Sequence, residues 1–281
     1  MLRGSSPGTL EDMPELPEVE TVRAGLERLL AGAVIRRVDL QRHDLRAPIP
    51  QELPARLAGQ PITAIRRRAK YLLIETPGAT LLCHLGMTGT WRVAPPGDER
   101  THDHAYLHLA DGRRLVFRDP RRFGLLDLLP ADGRHPALAG LGPEPLGPAF
   151  SGDYLATVLR GRKAPLKALI MDQRLVVGVG NIYAQEALFR VRLRPTRPAG
   201  RVPRAALSDL VAAIRAILGE AIAAGGSTIS DFHHAGGEAG WFQHSFQVYG
   251  RAGQPCSACS APLRSDVIAG RSTVWCRRCQ R

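Results

Sequence analysis

Residues 256–279, with the sequence CSACSAPLRSDVIAGRSTVWCRRC, contain four of the five cysteines of this 281-residue chain. Cys256 and Cys259 form one Cys-x-x-Cys pair, and 16 residues separate it from the second pair, Cys276 and Cys279. This spacing is typical of a zinc site in which four thiolates surround the metal at about 2.3 Å. Because four protein ligands leave no position for water, the spacing predicts one structural Zn2+ ion.

A redox role for the two cysteine pairs is the alternative, but the segment that holds them is too short to bury a core without a metal. The same segment is rich in arginine, with Arg264, Arg271, Arg277, Arg278 and Arg281. Such a density is expected of a zinc finger that binds phosphates, although a solvated surface could carry the same charges. Cys83, in the apolar run LLCHL, is predicted to be a buried core thiol.

The charge of the whole chain also indicates a polyanionic partner. Lys and Arg number 38 against 26 Asp and Glu, so the net charge is +12. Positive charge spread along a chain attracts phosphates, which favours nucleic acid over the alternative of a basic protein without such a partner. No signal peptide or membrane-spanning apolar run is recognisable, so we expect a cytoplasmic protein without membrane contact.

The chain is longer than one hydrophobic core usually requires, which predicts several domains. Residues 1–12 are polar and rich in Gly and Ser, and they are interpreted as a disordered leader before Met13, an expression remnant or a misplaced start. Apolar residues then recur at helical spacing from Glu18, and Gly32 is the predicted end of that helix.

Between residues 33 and 129, short apolar runs alternate with turn signals, which predicts an antiparallel sandwich or barrel. Residues 142–153 have the Pro and Gly content of a linker, and helical spacing returns in residues 181–190 and 203–224.

Six segments, in order, give the chain a family resemblance. They are MPELPEVET (13–21), RRAKYLL (67–73), HLGMTG (84–89), DPRRFG (119–124), VVGVGNIY (176–183) and the cysteine segment with Arg271. With these segments the chain resembles the bacterial formamidopyrimidine-DNA glycosylases, and the resemblance extends from Met13 to the last residue.

The resemblance implies a multidomain α+β fold. Residues 14–145 would form an N-terminal β-sandwich catalytic domain, 151–242 a helix-two-turn-helix DNA-binding domain, and 243–281 a zinc finger, while the leader, 1–13, would be absent from the active protein. The implied function is that of a bifunctional glycosylase and lyase of base excision repair, acting as a monomer on double-stranded DNA that contains oxidised purines.

Four residues match positions that carry the chemistry of the family. Pro14, if it is the first residue, resembles the amine nucleophile, because its secondary amine can form an iminium with the sugar. Glu15 matches the general acid, and Lys70 matches the proton donor of the first elimination or a phosphate contact. Arg271 matches the donor of the second elimination, with a phosphate clamp as the alternative. Glu18 is expected either to cap the first helix or to lie in the active site.

Base flipping and DNA contact are assigned by the same resemblance. The residues expected to fill the space left by a flipped base are Met87, Arg121 and Phe123, although Met and Phe are more often core residues. Those expected to contact the DNA backbone are His102, Arg121, Lys163, Lys167 and Asn181. Lys163 and Lys167 would share a face if their segment is helical. The family closes a loop over the flipped base, and here this loop would be Ser227 to Gly240.

Two alternatives stay open. Relatives of the endonuclease VIII type, which act on oxidised pyrimidines, usually have Gly where this chain has Leu16, so the sequence favours the oxidised-purine branch. A chain that retains its leader would hold the Pro14 nitrogen in an amide and could be a zinc protein that binds damaged DNA without cutting it.

Overall fold

The computed structural model describes residues 14–226 and 242–281. The chain divides into two compact units, and each is described by itself. The N-terminal unit comprises Pro14–Glu144 with Leu218–His244, and the C-terminal unit comprises Pro145–Ile217 with Ser245–Arg281. None of the helices in the described ranges combines the length and the apolar composition that a membrane span requires.

The N-terminal unit consists of two antiparallel sheets and the helices that pack with them. In chain order its elements are α1 (Leu16–Leu30), β1 (Ile35–Leu40), α2 (Leu53–Leu57), β2 (Ala64–Arg68), β3 (Tyr71–Glu75), β4 (Thr80–His84), β5 (Thr90–Ala94), β6 (Asp103–Leu109), β7 (Arg114–Arg118) and β8 (Leu125–Leu129). The strand orders are β1-β6-β7-β5 in one sheet and β2-β3-β4-β8 in the other.

Side chains from both sheets share one apolar core, which confirms the predicted β-sandwich. Trp91 of β5 lies beside Phe117 of β7, with ring centroids 4.9 Å apart. The Trp91 indole N–H reaches across to the other sheet and donates to the Cys83 sulfur on β4 at 3.2 Å. Cys83 is fully buried, as its apolar sequence context predicts, and burial raises the pKa of its thiol to about 12.

Helix α1 adds a third layer to this core. Its apolar residues recur every three or four positions, and Val19, Val22, Leu26 and Leu30 are all buried against the sandwich. Pro17 lies in the first turn, where its missing N–H costs nothing. Gly32 follows the helix with φ +77°, a conformation that glycine adopts without strain, and ends it as the sequence predicts.

The C-terminal unit is helical, with a zinc-finger hairpin at its end. Its elements are α3 (Gly152–Val158), α4 (Leu166–Ile170), α5 (Asn181–Arg190), α6 (Arg204–Ala223, whose last residues belong to the N-terminal unit), β9 (Arg264–Ile268) and β10 (Arg271–Trp275). Arg215 of α6 donates to the carbonyls of Pro145, Gly147 and Phe150. These bonds attach the second part of the predicted linker to α6.

Two buried polar residues of α5 join the helix to the finger. Gln185 accepts the N–H of Val274 on β10 at 2.6 Å and donates to the Ser272 carbonyl at 3.2 Å. The Glu186 carboxylate accepts the consecutive N–H groups of residues 247–249 at 2.8–2.9 Å. These contacts fix both ends of the finger segment on one helix, so the hairpin is held by α5 as well as by its own cysteines.

Candidate active site and nucleic-acid interface

Pro14 and Glu15 lie immediately before the first turn of α1, and both are buried. The backbone N–H of Glu15 donates to the Glu18 carboxylate at 2.9 Å. Glu18 therefore caps the helix, which is one of the two roles that its spacing allowed. Gly226 packs against Glu18 closely enough that a Cβ at Gly226 would lie 3.4 Å from the Glu18 Cα. The bond between Glu15 and Glu18 attaches the residue after Pro14 to the first turn of α1.

Lys70 lies in the two-residue turn between β2 and β3, where Arg68 pairs with Tyr71. It is half-buried, and Ala69 before it has φ +54°, the left-handed conformation that a side chain normally disfavours. His84 packs on Tyr71 beside this turn, with ring centroids 4.8 Å apart. Burial, with the charges of Arg46 and Lys70, lowers the pKa of His84 to about 3. The neutral ring accepts the N–H of Gly86 through Nδ1 at 2.9 Å, a structural role.

Arg121 and Phe123 stand together on an exposed loop between β7 and β8. The Arg121 guanidinium lies 4.9 Å from the centre of the Phe123 ring, and Phe123 is 45% exposed. A guanidinium over an aromatic ring is a favourable cation–π arrangement. The expectation that this pair enters a DNA duplex stays a prediction.

The buried Asp119 holds this loop in its conformation. Its carboxylate accepts the Thr88 hydroxyl at 2.5 Å and the Gly124 N–H at 2.7 Å, and the Thr88 oxygen accepts the Arg121 N–H at 3.1 Å. These bonds fix the conformation of the loop from Asp119 to Gly124.

Met87, the third residue expected to fill the flipped-base space, lies in the neighbouring loop and is only 8% exposed. Gly86 before it approaches the Phe123 loop so closely that a Cβ would lie 2.4 Å from the Phe123 carbonyl carbon. The two loops therefore pack backbone against backbone, and only glycine fits at this position. Met87 is more covered than Arg121 and Phe123, and its role as a wedge stays a prediction.

His102 is exposed and has φ +72°, so its backbone is held in a strained conformation. The neighbouring Asp103 is buried, and its carboxylate accepts from the Arg92 guanidinium at 2.6 Å and from the Arg100 N–H at 2.9 Å. The carbonyl of His102 accepts the N–H of Asp119 at 3.0 Å. His102 is thus fixed by backbone contacts while its ring stays on the surface.

Lys163 and Lys167 differ completely in their surroundings. Lys163 is exposed and precedes α4, which begins after Pro165, so the condition under which the two lysines would share a helix face is not met. Lys167 is fully buried, and its ammonium donates to Asn181 Oδ1 at 2.5 Å and to Thr273 Oγ1 at 2.6 Å. The expectation that Lys167 contacts the DNA backbone is corrected accordingly: its charge is used inside the protein, where it joins α4, α5 and β10.

Asn181 is the first residue of α5, with its side chain 4% exposed. Its Nδ2 is a buried donor that finds no acceptor among the described residues. Arg271 begins β10, opposite Ile268, and is half-buried beside the tight turn at Ala269 and Gly270. Both belong to the C-terminal unit, whereas Pro14, Glu15 and Lys70 belong to the N-terminal unit.

The four cysteines of the finger come together as the sequence predicts, with all four sulfur atoms within 4.8 Å of one another. The sulfurs of Cys256 and Cys279 are 3.9 Å apart, and those of Cys259 and Cys276 are 3.5 Å apart. Thiolates at about 2.3 Å from a tetrahedral Zn2+ ion would be separated by about 3.8 Å. The residues present therefore fit one structural zinc ion with four protein ligands.

The loop from Ser227 to Gly240, expected to close over a flipped base, lies outside the described residues, as do residues 1–13.

Comparison with known proteins identifies three consecutive family models in the chain. The formamidopyrimidine-DNA glycosylase N-terminal domain matches residues 13–126, the H2TH domain of the same glycosylases matches 141–233, and the zinc finger found in FPG and IleRS matches 253–281. A formamidopyrimidine-DNA glycosylase from Bdellovibrio bacteriovorus is 55% identical, with 96% of this chain and all of the relative covered. The chain belongs to the formamidopyrimidine-DNA glycosylase family.

Other members of the formamidopyrimidine-DNA glycosylase family support this assignment. A relative from Stenotrophomonas maltophilia is 51% identical over 96% of this chain and its own whole length. The MutM (Fpg) protein from Thermus thermophilus has a similar crystal structure, with a TM-score of 0.85 and 45% identity over 95% of this chain and 98% of that one. A Lactococcus lactis FPG mutant in complex with Fapy-dG-containing DNA has a TM-score of 0.88 and 34% identity over 95% and 99% of the two chains.

Three carboxylates that organise these sites had received no role from the sequence: Asp103, Asp119 and Glu144. Asp119 lies inside one of the family segments, but its contact with Thr88 is made with a different loop. Glu144 lies in the segment interpreted as a linker, where an acid between two prolines was the one available signal. Thr88 lies 31 residues from Asp119 and Ala69 lies 75 residues from Glu144, so spacing alone could not reveal these two contacts.

Proposed function

We propose that this chain is a bifunctional DNA glycosylase and AP lyase of base excision repair that removes formamidopyrimidines and 8-oxoguanine from double-stranded DNA. The observation that carries the proposal is the position of Pro14 and Glu15 at the capped start of α1 in a chain of this family. Neighbouring structures that hold Fapy-dG-containing DNA support the choice of substrate. The active form begins at Pro14, without residues 1–13.

Pro14 is the nucleophile in this proposal. The lone pair of its secondary amine attacks C1′ of the damaged nucleotide, and the bond from C1′ to the base breaks. Opening of the sugar ring yields an iminium, which carries its positive charge without a proton and therefore draws electrons from the adjacent C2′–H bond. Loss of the C2′ proton expels the 3′ phosphate, and a second elimination expels the 5′ phosphate.

Three further residues move protons or hold charge in these steps. Glu15, next to the nucleophile, protonates the sugar ring oxygen as the ring opens. Lys70, at the β2–β3 turn, protonates the leaving 3′ phosphate or binds its oxygens, and Arg271 serves the second elimination in the same way.

The Arg121–Phe123 pair replaces the flipped base in the duplex. The Phe123 ring and the Met87 side chain act as apolar wedges, and the Arg121 guanidinium pairs with the orphaned cytosine. His102, Lys163 and Asn181 are the residues assigned to contacts with the DNA backbone. The buried Lys167 supports Asn181, and the zinc ion stabilises the finger without taking part in the reaction.

Borohydride trapping tests the nucleophile. During turnover on an 8-oxoguanine duplex, the chain beginning at Pro14 should form a covalent DNA adduct, because its free amine forms a reducible iminium. A chain shown by mass to retain residues 1–13 should bind DNA but form no adduct, because an amide nitrogen has no nucleophilic lone pair.

Equal adduct formation by the two chains would refute the role of Pro14 and direct attention to Lys70. Parallel excision assays with thymine glycol test the substrate class, since a preference for that lesion over 8-oxoguanine would place the chain with the endonuclease VIII relatives.

A further inference from the structure

Glu144 makes three short contacts with the turn that carries Lys70, although 75 residues separate it from Ala69. Its Oε1 accepts the Ala69 N–H at 2.7 Å and the Arg68 guanidinium at 2.8 Å. Its Oε2 accepts the Arg67 guanidinium at 2.8 Å. One carboxylate thus binds three consecutive residues immediately before Lys70.

These contacts hold an otherwise unfavourable backbone conformation. Ala69 has φ +54°, the left-handed conformation that a residue with a side chain normally disfavours. Glu144 binds the N–H of Ala69, and Arg67 donates to its carbonyl at 2.8 Å, so the residue is held on both sides. Because the conformation of Ala69 sets the direction in which the chain enters Lys70, the network also sets the position of Lys70.

The same network is connected to α1. The Arg67 Nε donates to the Glu20 carboxylate at 2.7 Å, and Glu20 lies in the first part of α1, which follows Pro14 and Glu15. Arg68 donates to the carbonyls of Leu141 and Gly142 at 3.1 and 2.6 Å, which holds the chain just before Glu144. The turn, α1 and residues 141–144 therefore form one connected arrangement within the N-terminal unit.

Burial and charge show that the arrangement is maintained at neutral pH. The Arg67 side chain is 10% exposed and that of Glu144 is 28% exposed. Burial by itself would raise the pKa of Glu144, but the charge of Arg67 and the hydrogen bonds from the turn hold it below its usual range. Glu144 is therefore ionised and accepts from all of its donors.

We propose that Glu144 is a positioning residue for the lyase reaction, which holds the Ala69–Lys70 turn so that the Lys70 ammonium is placed for elimination. The inference rests on the role of Lys70 in the proposed function. Glu144 itself touches neither DNA nor the nucleophile in this proposal. Its effect on cleavage passes entirely through Lys70, so replacing Glu144 should have no effect once Lys70 is removed.

A double-mutant cycle tests the inference, with single-turnover cleavage of a duplex containing a preformed abasic site. All variants are prepared as the zinc-loaded protein beginning at Pro14. Glu144→Gln removes the negative charge and presents an NH2 group to arginine, so we expect cleavage to slow by about tenfold. In a Lys70→Ala background, Glu144→Gln should cause no further slowing, because the positioned group is already gone.

Glu75→Gln is the matched control. Glu75 lies on the same hairpin and pairs with Arg66 at 3.0 Å, but this pair is at the opposite end from Lys70. The same chemical change there should leave cleavage unchanged. Glu144→Asp keeps the charge and should cleave faster than Glu144→Gln, and thermal melting of each variant separates mispositioning from unfolding.

Two results would overturn the inference while leaving the role of Lys70 intact. One is native cleavage by Glu144→Gln, and the other is slowing by the same factor in the native and Lys70→Ala backgrounds. If Lys70→Ala itself cleaves at the native rate, the role assigned to Lys70 in the proposed function fails, and the inference fails with it.

Discussion

At the scale of single residues, Lys163 and Lys167 show that the same side chain, four positions apart, can serve two purposes. Lys163 is exposed before α4, whereas Lys167 is fully buried with Asn181 and Thr273 as partners. A buried ammonium is stable only when hydrogen bonds replace its hydration, and these partners provide them. The burial of Lys167 assigns it to the stability of the fold, and of the two lysines phosphate binding stays a proposal for Lys163 alone.

We predict that Lys163→Ala and Lys167→Met separate these two effects. Lys163→Ala should lower the slope of log affinity against log salt by about 0.9, because one phosphate contact is lost, and should leave stability unchanged. Lys167→Met should lower the free energy of unfolding by about 1–3 kcal/mol for each buried partner left unsatisfied. Fluorescence anisotropy at several salt concentrations and urea denaturation give the two quantities. If Lys167→Met reduced the salt slope at unchanged stability, Lys167 would be a phosphate contact after all.

At the scale of elements, the loops after β4 and β7 act together, because Thr88 of one loop is bonded to Asp119 and Arg121 of the other. The close approach of Gly86 to Phe123 permits this packing. The loops hold the Arg121–Phe123 pair on the surface. In the proposed function, a wedge held in this way avoids part of the ordering cost that accompanies binding.

Opposite-base selectivity is the property that this loop should control. We predict faster excision of 8-oxoguanine opposite cytosine than opposite adenine, since Arg121 recognises the orphaned cytosine. Arg121→Ala should slow excision opposite cytosine and bring the two rates together, in single-turnover assays on otherwise identical duplexes. Arg113→Ala removes an exposed arginine that pairs with Asp111 at a distant turn and should keep the selectivity. Native protein with equal rates opposite both bases would argue against Arg121 as the reading residue.

At the scale of the whole molecule, the proposed nucleophile and the cysteine cluster belong to different units. Pro14 starts the N-terminal unit, and the cysteines of the finger belong to the C-terminal unit. The finger hairpin contributes few buried apolar side chains of its own, so its stability depends on the metal and on α5. Loss of zinc is therefore expected to affect one unit first.

We predict that Cys256→Ser or Cys279→Ser leaves a folded N-terminal unit with little affinity for DNA. Each replacement removes one of four thiolate ligands, which weakens zinc binding and unfolds the hairpin that carries Arg271. Zinc content, thermal melting and anisotropy with an abasic duplex measure the three properties, and Cys83→Ser serves as a cysteine replacement away from the finger. A variant without zinc that still binds DNA at native affinity would refute the role of the finger.

The sequence by itself determined the features whose residues are close along the chain. The Cys-x-x-Cys pairs define the zinc site, Pro14 and Glu15 precede a helix whose apolar spacing is explicit, and the strands of the sandwich alternate with clear turn signals. These features follow from local geometry, since a helix turn, a tight hairpin and a ligand pair each involve only a few neighbouring residues.

Only the tertiary structure decided the features that depend on distant partners. Lys167 is buried because Thr273, 106 residues later, reaches its ammonium, and the Lys70 turn is held by a carboxylate 75 residues from Ala69. Spacing in the sequence does not say which distant groups meet, because that depends on how whole elements pack. The burial of a charged side chain is set by those meetings, and so a lysine that resembles a phosphate contact in the sequence can be a structural one in the fold.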